Sequence, residues 1–163
     1  MESRAKLFGH PLHQILIVFP MGLFATAVVF DVLYLAFNRD ATLWAVSYWM
    51  IAAGIVGALV AAPFGLVDWL AIPSGTRAKR IGLMHGLGNL IVLGLFIGSF
   101  LMRRSPVVAK DLAAFSLSFI AGALAIITGW LGGELVVRHG IGVQDGAEPD
   151  APSSLKTAPI QRN

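Results

Sequence analysis

The sequence predicts an all-α fold, a four-helix transmembrane bundle with both termini on the same side. Three observations predict it. Of 163 residues, 13% are charged and 56% hydrophobic, with a mean hydropathy of +0.76, whereas a soluble domain carries about 25% charge. Four windows free of Asp, Glu, Lys and Arg, residues 7–30, 41–67, 81–102 and 112–133, each exceed the roughly 20 residues that cross the hydrocarbon core as helix. None shows sustained alternation of polar and apolar residues, which disfavours a β-barrel. The chain thus divides into a four-span domain, residues 1–143, and a flexible polar tail, residues 144–163.

The opening segment MESRAKLFGHPLHQ carries Glu2 in its basic region and leads into an apolar run too long for a cleavable signal. It reads as a retained first span. The first helix is expected from about Leu12 to Phe37, with Pro11 at its entrance and Pro20 inside, where a freed carbonyl implies a kink or an irregular start. Asn38, Arg39 and Asp40 make a turn. The second helix is expected from about Leu43 to Ile72, with Trp44, Tyr48 and Trp49 at one interface, Trp69 at the other, and a bend at Pro63 and Gly65. Residues 73–80, PSGTRAKR, form a basic loop. The third helix runs from about Ile81 to Met102, followed by a turn of Arg103, Arg104, Ser105 and Pro106, and the fourth from about Leu112 to Val137.

Composition also narrows the chemistry. Without cysteine there is no disulfide framework and no thiolate chemistry. The net charge of +3 is scattered over loops and tail, which speaks against a nucleic-acid groove and for a membrane surface. Four spans put His10, His13, Asp68, His85, Glu134 and His139 on one side. Asp31, 18 residues from His13 and therefore roughly 27 Å along a helix, belongs near the other. On the histidine side lie Arg4, Lys6, Arg77, Lys79, Arg80 and Arg138, against Arg39, Arg103, Arg104 and Lys110, so the positive-inside rule favours cytoplasmic termini.

The histidine side holds the candidate site. His85 starts the third helix inside GLMHGLGN, one turn from Asn89, while Gly82 and Gly86 leave room for a flat porphyrin or quinone ring. His13 follows His10 at a one-turn spacing. Histidines on facing helices supply the axial nitrogens of haem b; His13 with His85 is the first pair to consider and His85 with His139 the second. A zinc or copper site drawn from His10, His13, His85, His139 and Asp68, or from Glu134, is the alternative. Asp68 has to pair, reach the interface or bind a proton, and Glu134 can pair with Arg138 one turn on. Gly94 and Gly98 repeat at a helix-packing spacing, compatible with a homo-oligomer or a structural subunit. HPLH is not a metalloprotease motif and no covalent haem-attachment motif exists, so no catalytic residue is assigned.

HPLHQILIVFPMGLF followed by Asp31, GLVDWLAIP at 65–73, His85 with Asn89, and GWLGGELVVRHGIGV at 129–143 together resemble the bacterial membrane protein family catalogued as domain of unknown function number 2231. The resemblance covers nearly the whole chain up to Val143. It implies a four-span membrane protein and points to His10, His13, Asp31, Asp68, His85, Asn89, Glu134 and His139. Gln14 stands where a second proline is frequent in the family. The resemblance implies no reaction. The residues therefore suggest a haem b protein passing electrons to a quinone or redox partner in the bacterial inner membrane, with metal transport and a structural role as rivals.

Overall fold

The computed structural model describes residues 1–37, 39–103 and 112–155. It opens with a feature too small for hydropathy to reveal. Strands β1 (Lys6–Leu7) and β2 (His10–Pro11) pair antiparallel around Phe8 and Gly9, at φ 49° and 84°. Positive φ at both central residues lets a two-residue turn follow the twist of its strands.

The first span is built from α1 (Leu12–Leu16) and α2 (Val18–Ala36), interrupted at Ile17. Pro20 has no N–H to give the Leu16 carbonyl, so the helix is irregular one turn before it, as the sequence leads one to expect. Helix α3 (Ala41–Ala71) starts two residues earlier than hydropathy suggests because Asp40 caps it, accepting from the N–H groups of Thr42 (2.7 Å) and Leu43 (3.4 Å). These bonds hold the Asp40 carboxyl below the usual carboxylate range. The helix ends at Ile72, whose extended backbone (ψ 130°) precedes Pro73.

Helix α4 (Arg77–Met102) begins four residues before the expected Ile81, with Thr76 Oγ1 accepting from Lys79 N–H at 3.1 Å. Part of the basic loop is thus the first helical turn. Apolar content locates the membrane, whereas the cap locates the helix start. Helix α5 (Leu112–Val137) ends at the expected residue. Gly140, at φ 61°, then lets the Ile141 N–H turn back to the Leu135 carbonyl. All four spans are long and apolar enough to cross a membrane.

Helix α2 packs extensively on α3 and α4 on α5, while contacts between these two hairpins are sparser. The seam between the hairpins is filled by Phe24, Ala27, Ile51, Val92, Phe96 and Ala121, with the Phe24 and Phe96 rings stacked 4.0 Å apart. Gly54 permits this, since a Cβ there would lie 2.5 Å from the Phe24 ring. Ile126, Val56 and Leu90 instead point outward and are exposed, as lipid rather than water requires.

The first residue and the segment that follows α5 meet at the histidine end of the bundle. Met1 donates its amino group to the Gly140 carbonyl, and the Gly142 N–H donates to the Met1 carbonyl, both at 3.0 Å. Both termini therefore lie on one side. Of the expected tail, residues 144–155 form exposed turns; residues 156–163, like Asn38 and the turn at 104–106, lie outside the described residues.

Candidate functional site

Two imidazoles meet across the seam. His13, from α1, donates through Nδ1 to the Ala61 carbonyl of α3 at 3.1 Å; His85, from α4, donates through Nδ1 to the Thr128 carbonyl of α5 at 2.8 Å. A carbonyl only accepts, so each ring carries a proton on Nδ1, and Nε2 is the nitrogen that offers a lone pair in the corresponding tautomer. Their centroids are 6.4 Å apart and their planes stand at 89°. Each ring rests on a bare stretch of its neighbour. A Cβ at Gly65 would sit 2.7 Å from His13 Cε1, and one at Gly132 would sit 3.0 Å from His85 Cε1.

Asn89 completes this layer. Its Oδ1 accepts from Thr128 Oγ1 at 2.9 Å, which turns the amide nitrogen toward His85. That nitrogen is 3.1 Å from Nε2 and 3.5 Å from Nδ1. A donor on the in-plane lone pair of one ring nitrogen would lie far from the other, so the amide sits over the ring face and leaves the Nε2 lone pair free.

The remaining sequence candidates go elsewhere. His10 is exposed at the hairpin, its Nδ1 3.1 Å from the Phe8 carbonyl. Asp68 holds the N-terminal segment, accepting from Ser3 Oγ at 2.8 Å and Arg4 N–H at 2.7 Å; among the described residues it makes no ion pair with a histidine or a basic loop residue. His139, Glu134 and Arg138 line a separate cleft. The space left by Gly82 is taken by Trp69, whose Cδ1 is 2.6 Å from where a Cβ would be, while Gly86 has nothing within 4 Å. Gly98 packs under Leu117, whereas a Cβ at Gly94 would meet nothing within 4 Å among the described residues. Among the described residues, no three His, Asp or Glu side chains gather in a way that could hold a metal ion.

A second polar layer lies at the opposite end. Arg103, expected in an exposed turn, is instead 1% accessible, with its guanidinium forked on Asp31: Nη1 to Oδ1 at 2.5 Å and Nη2 to Oδ2 at 2.7 Å. Arg103 also donates to Ser47, Ser99 and Ser118 through Nη1, Nε and Nη2, while Ser47 and Ser118 donate to the Asp31 carboxylate. Each of the four spans contributes at least one member. The ring of Phe115 lies beneath the guanidinium, 4.5 Å from Cζ to centroid. Sequence reasoning missed this because Arg103 closes an apolar window and looks like its flank. The available signal was topological: Asp31, Ser47, Ser99, Arg103 and Ser118 all fall at one end of a four-span chain.

In every helix the seam residue falls between the two layers: Phe24 between His13 and Asp31, Ile51 between Ser47 and Ala61, Phe96 between Asn89 and Arg103, Ala121 between Ser118 and Thr128. An apolar plug therefore separates the imidazoles from the ion pair. No curated protein and no solved structure matches this chain. The model of the DUF2231 family, described as predicted membrane protein, matches residues 9–145, a stretch holding all four spans and both polar layers, and the chain belongs to that family.

Proposed function

We propose that this membrane protein binds haem b between its two helical hairpins, with His13 and His85 as axial ligands, and passes electrons to a quinone or redox partner. The observation that carries this reading is the imidazole pair. His13 and His85, one from each hairpin, would hold the iron through Nε2. Their centroids lie 6.4 Å apart across the seam. The donor set fits, since both rings are fixed as the tautomer that ligates through Nε2.

Bound haem iron supplies a one-electron ferric/ferrous couple. The chain's own residues do the rest. The Ala61 and Thr128 carbonyls orient the rings, Asn89 limits rotation of His85, and the Phe24–Phe96 plug keeps water from the far side. The sparser packing between the hairpins favours insertion of a flat ring along the seam. No group transfer is required, so no general acid or base is assigned.

The proposal places the protein in the bacterial inner membrane with both termini cytoplasmic. Arg103 is neutralised inside the bundle, which leaves Arg39, Arg104 and Lys110 against the six basic residues of the histidine side and strengthens the positive-inside argument.

A reduced-minus-oxidised absorption spectrum of the detergent-purified chain, with pyridine haemochrome and elemental analysis of the same sample, tests the reading. Sharp low-spin b-type bands, lost in His13→Ala and in His85→Ala, are expected. Absence of haem after expression with ample haem supply overturns it, and stoichiometric zinc or copper in its place would favour the metal-binding alternative.

A further inference from the structure

At the histidine end, a cleft of about 530 Å³ opens between the start of α4 and the end of α5, lined by Arg77, Trp130, Glu134, Arg138 and His139. We propose that it seats the phosphodiester of a membrane glycerophospholipid headgroup. Arg77, the first residue of α4, and Arg138, which directly follows α5, both line it and are both exposed. Among the described residues neither has a carboxylate within 4.0 Å, although Glu134 shares the cleft. His139, whose Nε2 is buried without a hydrogen-bond partner among the described residues, lines the same cleft. A phosphate oxygen accepts from imidazole and guanidinium N–H alike.

The neighbours of the cleft set its level in the membrane. Trp130, 63% exposed, is the amphipathic ring that favours the headgroup layer, and Arg138 follows the last residue of α5 by one. Two guanidiniums and one carboxylate give the cleft a formal charge of a single positive unit, which matches the single charge of a phosphodiester. This site is independent of the iron proposal and shares none of the residues assigned there.

The test is native mass spectrometry of the full chain released from detergent doped with phosphatidylglycerol. The unaltered chain should retain one lipid, and Arg77→Ala with Arg138→Ala should lose retention on the order of tenfold or more, given the strength of hydrogen bonds to charged groups. Arg80→Ala, which removes a neighbouring charge outside the cleft, should change little. Glu134→Gln should raise retention, a direction that misfolding does not produce. Equal retention in the double variant, equal loss in Arg80→Ala, or lower retention in Glu134→Gln would overturn the proposal. Displacement of the lipid by millimolar inorganic phosphate would overturn its assignment to lipid and make the ligand free phosphate.

Discussion

At the scale of single residues, the best-defined chemistry lies where hydropathy says least. Asp31 and Arg103 are both fully buried and are each other's charged partner, so removing one charge strands the other. Asp31→Ala should cost about 3–5 kcal/mol, while Asp31→Leu combined with Arg103→Met should cost much less, because isolated buried charge rather than loss of the pair is the expensive state. Unfolding in detergent, followed by circular dichroism, measures both. On the histidine side, Gly65→Ala should push the His13 ring off the helix it rests on and lower haem affinity by roughly 10–100-fold, the usual scale for disturbing a ligand's support; haem titration of the purified variant reads this. The imidazoles themselves were legible from topology and residue type. Their supports were not, because Ala61 and Thr128 act through backbone carbonyls and Gly65 and Gly132 through missing side chains. Asp68 illustrates the converse, since a carboxylate that looks like a ligand serves to fasten Ser3 and Arg4.

At the scale of elements, span number and order follow from charge-free windows, but the ends do not. Asp40 and Thr76 set the starts of α3 and α4 by accepting from backbone N–H groups, a signal of one residue that a hydropathy window averages away. The carboxyl of Asp40 is held below its usual range by those bonds. Its contribution is therefore complete above the unfolded carboxylate pKa and lost as pH falls through the lower folded value. Acidification should release the first turn of α3 before the bundle opens, and in Asp40→Asn this local pH dependence should vanish; amide hydrogen exchange of residues 41–44 across pH is the measurement. The β1–β2 hairpin was invisible beforehand for a similar reason, since two-residue strands carry no periodicity.

At the scale of the whole molecule, two tight hairpins meet along a looser seam, with imidazoles near one end, an ion pair near the other and stacked phenylalanines between. Both termini on one face follow from the four spans. Which compartment that face meets can be read from single cysteines, because the chain has none of its own: a cysteine in place of Ser74 should resist a membrane-impermeant maleimide in intact cells and react after lysis, whereas labelling in intact cells would place the histidine end outside. Cofactor identity belongs to this scale too, since it depends on both hairpins presenting their rings together. The most direct measurement is the electron paramagnetic resonance spectrum of the ferric protein. Perpendicular imidazole planes, as His13 and His85 show at 89°, should give the highly anisotropic low-spin signal of crossed axial ligands, and it should disappear in His13→Ala and in His85→Ala. A chain that takes up no haem, or that gives an unchanged signal in either variant, would contradict the account.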